Sequence, residues 1–89
     1  MTKSDFNRVV SDGVARGKSF LVVKIMTDKN PLPETIVNPA ENVASKMAYY
    51  NKAYDDNLEL INAKKTGKSV KIVDAIMMNN LSNLNWFAY

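Results

Sequence analysis

The chain contains no cysteine and no histidine among its 89 residues. The first absence excludes a disulfide scaffold, a thiolate zinc site, a cysteine nucleophile and a redox dithiol. The second removes the commonest general base and metal ligand. Long apolar runs are missing as well. The longest, Phe20–Val23 and Ala75–Met78, fall far short of the roughly 20 residues that span a bilayer. Lys3, Asp5 and Arg8 stand near the N-terminus with no apolar stretch behind them, so no signal peptide is expected. A cytoplasmic location is then the default.

What is present is ordinary for a globular chain: 46% hydrophobic and 24% charged residues, with 12 basic against 9 acidic side chains. The length suits one domain, residues 1–89, because two halves would each be too short to bury a core without disulfides or metal. A chain of this mass buries only about two-thirds of its unfolded surface. Self-association into a homo-oligomer is therefore an expected route to further burial.

Periodicity orders the elements. Thr2 or Ser4 caps a first helix, whose apolar stripe is Phe6, Val9, Val10 and Val14 and which ends at Gly17. Gly13 falls inside it at a cost of about 1 kcal/mol relative to alanine. Ser19–Thr27, dense in β-branched residues, reads as a strand. Asp28–Pro33 reads as a loop, since two prolines in three residues deny a ladder its donors. Thr35–Val37 is a short strand paired with the first. Asn38, Pro39 and Glu41 form a helix-start signal with Asn38 as the cap, and Val43, Met47, Tyr50 and Tyr54 give the helix its stripe. Leu58–Ile61 alternates partially and reads as a strand, Lys64–Lys68 as a turn, and Val70–Ile76 as the returning strand. The expected architecture is α+β in the order α-β-β-α-β-β, with both helices on one face of a mainly antiparallel four-stranded sheet. Residues 79–89, asparagine-rich and ending in aromatics, are read as a docking tail.

Candidate chemistry is sparse. Gly-Lys-Ser occurs at Gly17–Ser19 and Gly67–Ser69, but neither copy has the Walker spacing and each precedes a strand, not a helix. Two such turns at the same sheet edge would still offer backbone N–H groups and Lys18 and Lys68 to an anion. Lys64, Lys65, Lys68 and Lys71 place four cations within eight residues. Such a run suits a solvated, aggregation-resistant edge or an electrostatic site for phosphate. A net charge of +3 is thin for a dedicated duplex binder and sufficient for one small anion. Tyr49 lies off the apolar stripe and is a candidate for stacking on a base. Trp86, Phe87 and Tyr89 suit an interface with a second subunit or a partner protein. Asp55 and Asp56 are adjacent, would diverge on a helix and lack a third acid at ligand spacing, so with Asn57 they read as the turn that ends the second helix. No catalytic group, cofactor site or metal site is expected, which argues for binding over catalysis.

Phe20–Ile25, Ile36–Asn42, Lys46–Leu60 and Val70–Ala75 together resemble small accessory proteins of phages and prophages of Gram-positive bacteria. The resemblance is one of overall pattern and covers most of the chain after residue 19. It implies a protein that acts by binding inside the infected or lysogenic host cell. By analogy of size and context, it implies an antagonist of host immunity that sequesters a small anionic nucleotide signal as a homo-oligomer. The alternatives are an inhibitor that blocks a host protein through the aromatic tail or a sheet edge, and a nucleic-acid-binding module, which the modest charge disfavours.

Overall fold

The computed structural model describes residues 1–65 and 67–84, the side chains of Lys64, Lys65 and Asn83 excepted. Helix α1 (Lys3–Ala15) leads into strands β1 (Phe20–Thr27) and β2 (Asn30–Pro39). Helix α2 (Ala40–Ala53), the short helix α3 (Ile61–Lys65) and strand β3 (Val70–Met78) follow, and then a single 3-10 turn (Leu81–Asn83). The class is α+β, but the sheet has three strands, ordered β2-β1-β3, with both pairings antiparallel.

The expected fourth strand is the principal correction. Leu58 is fully buried with φ at 60°, a left-handed conformation that turns the chain instead of extending it. One Asp55 carboxylate oxygen accepts from the Asn57 and Glu59 backbone N–H groups at 2.9 and 3.1 Å, holding the segment in a local turn. Only the single bridges Tyr54–Leu60 and Glu59–Lys71 survive, and Ile61 already begins α3. The lysine turn contracts accordingly. Lys64 and Lys65 belong to α3, and the reversal falls at Gly67, whose φ of 76° suits a residue without Cβ.

Two further expectations change for local reasons. The loop expected at 28–33 is a tight turn at Asp28–Lys29, and Pro31 and Pro33 lie within β2. They fit because β2 is an edge strand. They also fall where its register with β1 shifts, between the Ile25–Glu34 and Thr27–Asn30 pairs. Asn38 does not cap α2, since β2 continues through Pro39. Its side chain is buried and donates to the Leu21 carbonyl at 3.3 Å.

Helices α1 and α2 cover one face of the sheet. Phe6, Val10, Val43, Tyr50 and Tyr54 pack there with Leu21, Val23, Ile25, Ile72, Ala75 and Met77. A bulge in β3 at Val73, where the pairing with β1 shifts register, keeps Ile72 and Ala75 on this same face despite their odd separation. Thr2 closes a complete capping box with Asp5 at the start of α1. Gly13, which weakens the helix in isolation, is the point of closest approach to the sheet. A Cβ there would lie 2.2 Å from Met77 Cγ and 2.4 Å from Met77 Cβ. On the other face, Val22 is fully buried and Met78 nearly so, while Ile76 stays 39% exposed.

Candidate functional site

The C-terminal half of α2 carries three tyrosines with different surroundings. Tyr50 and Tyr54 are core residues, and Phe6 meets Tyr50 edge-on at 5.5 Å. Burial raises the hydroxyl pKa of both. That of Tyr54 is pushed up to about 12, and that of Tyr50 is raised against the opposing effect of a hydrogen bond from Asn38. Both are neutral phenols at physiological pH. Tyr49 is the outlying member, 51% exposed, with its ring 5.5 Å from Tyr50 and 6.4 Å from Tyr54. Both contacts are edge-type, with 63° and 80° between ring planes, and about half of the residue stays open to solvent.

That ring lines a cleft of about 410 Å³ together with Lys52, Ala53, Ile61 and Asn62. The cleft exists because α2 ends at Ala53, the Asp55 turn reverses the chain, and α3 begins at Ile61 against the end of α2. Lys64 and Lys65 follow in the same five-residue helix. Lys68 is exposed just beyond, with its backbone N–H bound to the Ala63 carbonyl at 2.9 Å. Lys71 is exposed on β3, paired with Glu59 through a single bridge. Sequence reasoning missed Lys52, Ile61 and Asn62. Lys52 had a signal, since it stands three residues after Tyr49 and so on the same side of α2. Ile61 and Asn62 were hidden in the strand expected at 58–61.

Lys18 is not part of this site. It lines a separate hollow of about 320 Å³ with Val9, Asp12, Gly13, Arg16, Ile76 and Met77. The two Gly-Lys-Ser turns do not share a sheet edge either. One precedes Phe20 and the other Val70, and in the antiparallel β1–β3 pair Phe20 is matched with Met78 whereas Val70 is matched with Thr27. The turns therefore lie at opposite ends of the strands, roughly 23 Å apart at about 3.3 Å per residue. One small anion cannot touch both. Trp86, Phe87 and Tyr89, the expected interface residues, lie outside the described residues, as do the side chains of Lys64 and Lys65.

No family model, curated protein or solved structure matches this chain.

A third concavity, the groove between α1 and α2, is larger at about 650 Å³ but chemically different. Its lining of Val10, Val14, Ala15, Val43, Ala44 and Met47 is apolar, with Asn7, Ser11 and Asn51 as the polar members and no charged side chain. Reciprocal Asn7–Asn51 hydrogen bonds of 2.9 and 3.0 Å close one end of it. The α2–α3 cleft thus differs from both other hollows in joining an exposed aromatic ring to a cation. Among the described residues, no group of three or more acidic side chains is placed to hold a metal ion. No helix there is long and apolar enough to cross a membrane.

Proposed function

We propose that this is a binding protein whose ligand is a small anionic nucleotide, seated in the α2–α3 cleft. The observation that carries the reading is the exposed Tyr49 ring beside Lys52, at the mouth of a cleft whose far wall is the first turn of α3. A nucleobase stacks on such a ring, and lysines hold its phosphates. The polar side chain of Asn62 stands in the same lining, available to the base edge or the ribose. Lys64 and Lys65 follow Asn62 and Ala63 in the same helix. With no histidine or cysteine in the chain and no acid–base pair expected from its sequence, binding without turnover is the fitting activity. The resemblance to short phage accessory proteins supports a sequestering use of that binding, in which a host immune signal is withdrawn unchanged.

The test is a thermal-shift panel of cyclic mononucleotides, cyclic dinucleotides and ADP-ribose derivatives, followed by heat release of any ligand that binds. A ligand at 100 times its Kd should stabilise the fold by about 2.7 kcal/mol and be recovered chemically intact. Tyr49→Ala should weaken binding roughly tenfold or more, from the loss of about 1–3 kcal/mol of stacking. No shift with any member of the panel, or recovery of a cleaved product, would refute the proposal.

A further inference from the structure

The two edges of the sheet are finished differently. On the outer edge of β3, Leu60 N–H donates to the Val70 carbonyl at 2.8 Å and Ile72 N–H to the Leu58 carbonyl at 2.9 Å. Further along, Ala75 N–H is bound by the side chain of Asp74 at 2.9 Å. At Val70, Ile72 and Ala75 this edge is occupied by the chain itself. Among the described residues, the outer edge of β2 has no such cover. Ala40 N–H donates to the Ser19 carbonyl, and the register matches Phe20 with Pro39, Leu21 with Asn38 and Val22 with Val37. Alternation in an antiparallel ladder then points the backbone groups of Glu34, Ile36 and Asn38 toward β1 and those of Thr35 and Val37 outward. Neither Thr35 nor Val37 has a hydrogen-bond partner for its N–H among the described residues.

The prolines frame that open stretch with a particular symmetry. Pro33 and Pro39 occupy the next outward-pointing positions on either side, so neither removes a bond to β1 and neither offers a donor at the edge. Both lie three residues from Ile36. An antiparallel strand related by a two-fold axis through Ile36 matches Thr35 with Val37 of its mate, Ile36 with Ile36, and Pro33 with Pro39. In that register every outward N–H of both strands is used, four bonds in all, and the ladder stops where donors run out. Ile36 is 36% exposed, and no lysine or arginine stands between Pro33 and Pro39 to repel a neighbour.

We infer that the edge of β2 is a self-association surface, and that its partner is a second copy of this chain joined antiparallel about Ile36 into a six-stranded sheet. The dyad is perpendicular to the sheet, so both copies keep their helices on the same side. Helix α2 packs on both β1 and β2. Across the dyad the two α2 helices are then separated by about two strand spacings, roughly 10 Å, which is the distance at which helices pack. The surface stands apart from the α2–α3 cleft, and its occupancy does not depend on any ligand.

The native chain lacks cysteine, which makes the test direct. Ile36 and its mate form a non-hydrogen-bonded antiparallel pair, with Cα atoms about 4.5 Å apart, inside the range a disulfide bridges. Full-length Ile36→Cys should oxidise to a covalent dimer of twice 10.0 kDa at least tenfold faster than Ile76→Cys, a comparably exposed position on the opposite face of the sheet. By sedimentation equilibrium the unmodified protein should be a dimer, and Ile36→Lys, which sets like charges face to face, should raise the dissociation constant on the order of tenfold or more. Circular dichroism confirms that each variant is folded, and Ile36→Cys decides the matter if the lysine variant is not. A monomer at hundreds of micromolar, or equal oxidation of the two cysteine variants, would overturn the inference. A dimer indifferent to Ile36→Lys would do so too.

Discussion

Replacing Gly13 with alanine should destabilise the protein, although helix propensity alone predicts the reverse. In an exposed helix the exchange is worth about 1 kcal/mol in favour of alanine. Here the new methyl would stand 2.4 Å from Met77 Cβ and 2.2 Å from Met77 Cγ. Normal contact requires about 1 Å more, and Met77 Cβ is attached to the backbone of β3, so rotation of the side chain cannot relieve it. Helix α1 must lift from the sheet, loosening Phe6 and Val10, its two large buried anchors. Overpacking of this kind typically costs 1–3 kcal/mol, and the upper end applies where the rigid parts of two elements collide. After the propensity gain a net loss of about 2 kcal/mol remains. At about 4–8 °C per kcal/mol for a chain of this size, the melting temperature should fall by roughly 8–16 °C. Urea unfolding followed by circular dichroism measures the same loss as a lower midpoint at unchanged slope. Trimming Met77 to alanine in the same chain removes the Cγ contact but leaves the Cβ contact, so rescue should be incomplete. A Gly13→Ala variant more stable than the parent would refute the close packing of α1 on β3.

Three other perturbations probe separate parts of the structure. Leu58 is fully buried with φ at 60°, so Leu58→Ala should cost about 2–5 kcal/mol; Leu58→Gly, relieved of about 1 kcal/mol or more of left-handed strain, should be no worse in chemical denaturation, reversing the usual order. Burial raises the Tyr54 pKa to about 12, above its ordinary 10.0. The stability this contributes is fully present below pH 10 and lost as pH rises toward 12, so Tyr54→Phe should flatten the alkaline limb of the stability curve measured by urea titration. At the other end of the scale, hydrogen bonds from Thr2 lower the Asp5 pKa from 3.8. Stabilisation by the Asp5 carboxylate in this capping box should be present above that value and fade as pH falls below it; Thr2→Ala should cost about 1 kcal/mol near neutrality, and part of that cost should persist in acid, where the Thr2 hydroxyl still accepts from the Asp5 N–H.

The elements read most readily from the sequence were those set by local chemistry. The cap of α1, read as Thr2 or Ser4, the glycine that ends the helix and the β-branched run of β1 all act within a few residues. Where reading failed, a distant partner had decided the outcome. Pro31 and Pro33 look like strand breakers until β2 proves to be an edge. Asn38 has the chemistry of a cap, yet its amide is spent on Leu21 and Tyr50 in the core. Leu58–Ile61 has the alternation of a strand, but burial of Leu58 and the hydrogen bonds of Asp55 turn it. Gly13 reads as a defect because Met77, its reason, is 64 residues away.

The candidate site was legible to the same extent. Tyr49 was marked by its position off the apolar stripe, and α3 carries two of the lysines that were marked with it. Lys18 was grouped with them on motif similarity alone, and antiparallel pairing places its turn at the other end of the sheet. Ile61 and Asn62 depended on a helix, α3, starting where a strand was expected.

The most direct test of nucleotide binding at the α2–α3 cleft is an amide chemical-shift titration of the labelled protein with the nucleotide that gives the largest thermal shift. Saturable changes centred on Tyr49, Lys52, Ala53, Ile61 and Asn62 are expected, with Arg16 and Lys18 unmoved. Changes centred instead on the Lys18 hollow or the α1–α2 groove, or none at millimolar nucleotide, would contradict binding at this cleft.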